Sequence, residues 1–195
     1  MIQQKDIQEQ INHIRRELLD TFNETDTWFD VQEDIRVYKP KGGGWSIGEI
    51  LEHIGLTNHY LLILIEKGTK KALRNINNLD LQTELKNYTF QQNKLTEVGM
   101  HKSFTWIRPE HMEPRGEKSP EEVRQQIKSQ TVQCLDVLER LKNGEGVLYK
   151  TTMSVNDLGK IDVYEYIYFL ARHARRHLTQ MEGVREEYGS NNLDL

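Results

Sequence analysis

LGKIDVYEYIYFLARHARRHLTQ, residues 158–180, is the stretch on which the reading of this chain turns. Val163, Ile167, Leu170, Ala174 and Leu178, with Met181 just beyond, recur at spacings of three and four, which places them on one stripe of a helix. Asp162 followed by Glu165 resembles a capped helix start, and the pattern predicts a helix running to about Tyr188. His173 and His177 are four residues apart, so they stack one turn apart on one face. That face is the inward one, because His173 continues the line of Tyr166 and Leu170 while His177 sits beside Leu170 and Ala174. Arg172, Arg175 and Arg176 fall on other faces.

Three more amphipathic segments accompany it. Ile7, Ile11, Ile14, Leu18 and Phe22 mark a helix from about Gln4 to Asp30. Gly42, Gly43 and Gly44 force a turn, after which Ser46 and Glu49 form a capping box. Ile47, Ile50, Leu51, Ile54, Leu61, Leu62 and Ile65 then carry a second helix to about Lys67, with Gly68 as its expected stop. Ser119, Pro120 and Glu122 write another start. Val123, Ile127, Cys134, Leu138 and Leu141 follow, ending at Asn143 and Gly144. Four long amphipathic helices predict an all-α bundle, and a length of 195 residues suits one domain spanning 1–195.

The segments between are harder to read. Residues 69–118 are polar and poorly periodic, yet a structureless connection of that length is unusual in a compact domain. A crossover with short helices, or a lid over one end of the bundle, is expected, with Leu79–Leu85, Thr89–Met100 and the apolar Phe104, Trp106 and Ile107 as its ordered parts. Val147–Thr152 reads as a strand or an irregular loop. The closing NNLDL reads as frayed.

Composition excludes several classes. Lys plus Arg number 26 against 30 Asp plus Glu, a net charge of −4, and the charges are interspersed, so no nucleic-acid footprint is apparent. The longest apolar run, Tyr60–Ile65, falls far short of the roughly 20 residues of a membrane span. MIQQKDIQEQ at the start lacks the apolar stretch of a secretory signal; a cytoplasmic protein is expected. With Cys134 as its single cysteine, the chain offers no Cys-rich zinc motif, and any metal must rely on His, Asp and Glu.

Two inward imidazoles would repel if both were charged, and a shared cation removes that conflict. Hydrogen bonding of both rings to neighbouring helices is the alternative, since the spacing alone is common by chance. His53, one turn beyond Glu49 and at the edge of its helix's apolar stripe, supplies a third inward histidine. His59 is rotated well away from it, and His13 lies off the first helix's stripe. His101 and His111 belong to the segment that is hardest to read; surface or hydrogen-bonded roles are expected for all four of these histidines, with His101 or His111 as outside candidates for a pocket wall.

WSIGEILEHI, residues 45–54, together with the HxxxHxxQ pattern of His173, His177 and Gln180 after a Gly-containing turn, resembles the DinB/YfiT-like superfamily of metal-dependent enzymes. The resemblance covers roughly residues 4–67 and 119–188. It implies a four-helix bundle in up-down-down-up order, with a long crossover between its second and third helices, and a metal held by His53, His173 and His177. Gln180 would then be structural.

Three histidines leave a metal with open positions for water or substrate, as in catalytic sites. Such an ion, zinc or nickel by preference, can activate water or hold a thiol as thiolate. Similar proteins include bacillithiol- and mycothiol-dependent S-transferases, so the resemblance implies transfer of a low-molecular-weight thiol cosubstrate to an electrophilic small molecule. A metal-dependent hydrolase and a non-catalytic metal-binding or stress-response bundle are the alternatives. Glu49 is a candidate to orient His53, though capping is its stronger role. Arg172, Arg175 and Arg176, with Tyr164, Tyr166 and Tyr168, are candidates to hold an anionic substrate, or else solvated face and core edge. Cys134 lies on an apolar stripe and reads as a core residue. A homodimer is plausible from the family.

Overall fold

A computed structural model describes residues 4–104 and 109–192. Trp106 and Ile107, and the Leu193–Leu195 end of NNLDL, lie outside them. The chain is predominantly helical. In order it forms α1 (Gln4–Thr27), a 3-10 turn at Trp28–Asp30, α2 (Glu33–Val37), α3 (Ile47–Asn75), α4 (Leu81–Lys86) and α5 (Gln92–Val98). A 3-10 turn at Glu110–Met112, α6 (Pro120–Arg140) and another at Glu145–Leu148 follow. Then come β1 (Lys150–Met153), a turn at Val155–Asp157, β2 (Gly159–Asp162) and α7 (Val163–Asn192).

The four long helices are α1, α3, α6 and α7, and their stripes meet in one core. Ile7, Ile11, Ile14 and Leu18 of α1 are buried with Ile50, Ile54 and Ile65 of α3, Ile127, Cys134 and Leu138 of α6, and Ile167, Leu170 and Ala174 of α7. Both α1 and α3 pack against both α6 and α7. The expected starts are present as hydrogen bonds. Ser46 Oγ accepts from the Glu49 amide at 3.3 Å while Glu49 accepts from the Ser46 amide at 2.7 Å, and Ser119 and Glu122 repeat the arrangement. Asp162 Oδ1 accepts from the amides of Tyr164 and Glu165, and Glu165 returns a bond to the Asp162 amide. These contacts satisfy backbone donors that a helix start leaves without partners.

Three boundaries differ from expectation. α3 does not stop at Gly68 but continues to Asn75. Gly68 is there for a close approach: a Cβ at that position would sit 3.1 Å from Val163 Cγ2, so the missing side chain lets the start of α7 press against α3. α7 continues past Tyr188 to Asn192. α1 tightens into a 3-10 turn at Trp28 instead of remaining α-helical to Asp30, a common way for a helix to end. The stop after α6 is as expected, with Gly144 at φ 103°.

The crossover after α3 carries short helices. α4 takes up most of the Leu79–Leu85 patch and α5 the centre of Thr89–Met100; Leu85, Leu95 and Val98 are buried, and α5 packs on α7. The Val147–Thr152 patch splits. Val147 and Leu148 lie in a buried 3-10 turn, and β1 begins at Lys150, pairing antiparallel with β2 so that Lys150 faces Asp162 and Met153 faces Gly159. No helix among the described residues is long and apolar enough to cross a membrane.

Candidate metal centre

α3 carries His53 two turns after its cap, and α7 carries His173 and His177 one turn apart. The packing of α3 on α7 brings the three together. All are buried, with 3%, 3% and 7% of their surface exposed, and one ring nitrogen from each lies within 4.8 Å of the other two. The rings stand nearly edge to face, with centroids 5.2 Å apart for His53 and His173, 4.8 Å for His53 and His177, and 4.6 Å for His173 and His177.

The outer nitrogens show which way the inner ones point. His53 Nδ1 donates to the carbonyl oxygen of Met112 at 2.7 Å. His177 Nδ1 donates to Gln180 Oε1 at 3.0 Å. Each bond places the proton on Nδ1 and leaves the Nε2 lone pair directed at the centre, as in metal sites where a partner behind the ring fixes the tautomer. His177 Nε2 lies 3.2 Å from His173 Nε2. Two nitrogens bound tetrahedrally to one zinc, each about 2.0–2.1 Å away, would be separated by about 3.3 Å. Burial, reinforced by His177, His53 and Arg176, holds His173 well below the usual imidazole range. The ring is therefore neutral at physiological pH, the form that ligates. Nitrogen type, separation and tautomer all fit a divalent cation.

Two cavities meet at the trio. One, of about 250 Å³, is lined by Trp45, His101, Arg176 and Gln180 as well as the three histidines. The other, of about 270 Å³, shares His53 and His173 and runs toward the hairpin past Leu61, Met112, Met153, Tyr166 and Phe169. Trp45 stands 4.6 Å from His53, centroid to centroid.

Several expected roles change. Glu49 does not orient His53: its carboxylate is taken up by the Ser46 amide and Lys39. The carbonyl of Met112, in the segment that was hardest to read, does that work instead. Of the three arginines, Arg172 pairs with Glu17 at 3.1 Å and Arg175 with Glu24, whereas Arg176 reaches the trio's cavity, donates to the Met100 carbonyl and lies over Phe104. Tyr164 is a core residue, accepting from the Gly146 amide and donating to the Leu141 carbonyl. Tyr168 accepts from Gln92, and Tyr166 donates to the Thr152 carbonyl while lining the second cavity. His101 does form a pocket wall, while His111 packs on Tyr60. His59 is exposed, and His13 lies beside Tyr168. Cys134 is fully buried, its thiol pushed up to about 12.

Glu52 was missed in the sequence. Its buried carboxylate accepts from the amides of Arg115 and Gly116 at 3.1 and 2.9 Å, pinning the segment after Met112 to α3 one residue from His53. A carboxylate inside an otherwise apolar helical run was the available signal.

A family model described as the DinB superfamily matches residues 10–181. No curated protein and no solved structure matches the chain.

Proposed function

The chain belongs to the DinB superfamily, and from that premise we propose that it is a single-domain, metal-dependent enzyme that transfers a low-molecular-weight thiol to an electrophilic small molecule. Its long helices form the family's up-down-down-up bundle, with residues between α3 and α6 as the crossover. The observation that carries the reading is the convergence of three buried histidine nitrogens, two of them aimed by hydrogen bonds behind the ring.

His53, His173 and His177 would hold a divalent cation, zinc or nickel; imidazole accepts either. When bound, that ion supplies the positive charge that makes a thiol or a water nucleophilic at neutral pH. The protein's own groups do the rest. The Met112 carbonyl and Gln180 keep the rings in the ligating tautomer. Arg176, at the mouth of the polar cavity, attracts an anionic group on the thiol, and His101 adds a hydrogen-bonding wall. Trp45 covers His53 and limits water on that side. Cys134 is not the nucleophile: its thiol is buried on α6 and stays protonated, so the sulfur that forms the new bond comes from the cosubstrate. That thiol gives up its S–H proton and bonds through sulfur to the electrophilic carbon, while that carbon's bond to its leaving group breaks and the group departs with the electron pair.

Metal content of tag-free protein, measured after loading with zinc or nickel, tests the reading against His53→Ala, His173→Ala and His177→Ala. About one ion per chain, lost in each variant, followed by turnover that depends on bacillithiol, is the expected result. Turnover with metal but without thiol would instead make the protein a hydrolase using activated water. Failure to retain metal after loading would overturn the enzyme reading.

A further inference from the structure

The two cavities that meet at the histidines differ in chemistry, and the difference bears on the second substrate. The first carries Arg176, His101 and Gln180. The second has no Asp, Glu, Lys or Arg among the described residues that line it. Two of its polar groups are already engaged: the Tyr166 hydroxyl donates to the Thr152 carbonyl at 3.0 Å, and Thr57 Oγ1 is directed at Met112 Sδ, 3.9 Å away. Thr152 and Ser154 line it at the hairpin end, and the rest of the wall is mainly hydrocarbon and thioether, from Leu61, Met112, Met153, Val155 and Phe169. A polar group entering there would exchange water for few partners, whereas an apolar one would gain by leaving water. Leu64, a large apolar side chain left 38% exposed, also borders this cavity.

His53 and His173 belong to both cavities. A group seated in the apolar chamber therefore lies against the same rings that face the polar one. An apolar cavity of about 150 Å³ accepts one benzene ring. By that scale a chamber of about 270 Å³ holds a ring with a short chain, or an alkyl group of about eight to ten carbons.

Resting on the thiol-transfer reading above, we propose that the electrophilic substrate bears an apolar group of about eight to ten carbons, and that this group binds in the chamber walled by Leu61, Met112, Met153, Val155 and Phe169. The electrophilic end then sits at His53 and His173, across from the thiol. The two methionines, unbranched and polarizable, let the wall adapt to chains of different shape.

Binding of straight-chain alcohols from butanol to dodecanol tests this on the metal-free, full-length protein, by calorimetry and by fluorescence changes. Each added methylene is expected to tighten binding about threefold to fourfold, up to about eight to ten carbons, after which the gain stops. Val155→Trp and Leu61→Phe, which fill the chamber from the hairpin and from α3, are expected to move that limit two to four carbons shorter while melting near wild type. If one variant does not fold, the other still decides. The absence of saturable binding at one alcohol per chain, or a limit that neither folded variant shifts, overturns the assignment. Zinc content measured on portions of the same preparations after loading with zinc separates the two readings. Zinc retained without a chain-length limit removes the chamber and leaves the metal enzyme. A limit without zinc retention supports the chamber as an apolar site and removes the enzyme.

Discussion

His53 Nδ1 donates to the main-chain oxygen of Met112 across 2.7 Å, so the least regular part of the chain aims a residue of one of its most regular helices. The segment carrying Met112 is held near α3 by Glu52, which receives the Arg115 and Gly116 amides. Because the acceptor is a main-chain oxygen, it is best tested through its anchor. Glu52→Ala should weaken zinc binding by about tenfold to a hundredfold, as loss of support behind a metal-bound histidine does, with helical content unchanged. Chelator competition measures it, and unchanged affinity would show that Glu52 is not what holds the Met112 carbonyl in place.

Gln180 plays the matching part on α7. Its Oε1 receives the proton of His177 Nδ1 at 3.0 Å, and without it the proton can move to Nε2, the atom that faces the centre. Gln180→Ala should therefore cost about tenfold or more in metal affinity. Gln180→Glu keeps an acceptor oxygen and should retain most of it. Equal losses in the two variants would point to the side chain's packing instead.

Stability should depend on pH through Asp162. Burial beside Glu165 pushes its carboxyl from the ordinary 3.8 up to about 7, and Glu165 is raised as well, chiefly by burial. Between about pH 4 and pH 7 the folded protein holds a proton at Asp162 that the unfolded chain has released. Stability contributed by that proton is present at low pH and falls as pH rises through the window. Asp162→Asn keeps an oxygen for the Tyr164 and Glu165 amides and removes the charge. Its melting temperature should exceed that of wild type by more at pH 8 than at pH 5, by about 2–4 °C for each kcal/mol recovered. Parallel pH profiles for the two proteins would contradict this.

Much of this arrangement was legible in the sequence. The stripes of α1, α3, α6 and α7, and the boxes at Ser46, Ser119 and Asp162, are local signals that packing reinforces. The inward side of His53, His173 and His177 followed from the same periodicity. Gly68 misled because a glycine marks either a helix stop or a close approach, and only Val163, 95 residues away, tells which. β2 carries no alternation of its own and exists by pairing with β1. The Met112 contact is a main-chain one, to which no side-chain pattern points. Glu52 gave a clue, a charge in a buried position, but its partners are amides 63 and 64 residues further along the chain.

The three arginines near the histidines give the last test, because periodicity put them all off the inward face and the structure separates them. Arg172 and Arg175 are tied to Glu17 and Glu24 of α1, where they join two helices. Arg176 borders the polar cavity and donates to the Met100 carbonyl. A charged hydrogen bond contributes about 1.5–3 kcal/mol, so Arg176→Gln should raise the KM for an anionic thiol by about tenfold to a hundredfold, with little change in kcat and none in zinc content. Arg175→Gln should lower the melting temperature slightly, as a largely exposed pair contributes little, and leave KM as in wild type. A steady-state titration of thiol for both variants separates the roles. If KM rises equally in both, the cause is a shift of α7 as a whole and not the charge at the cavity.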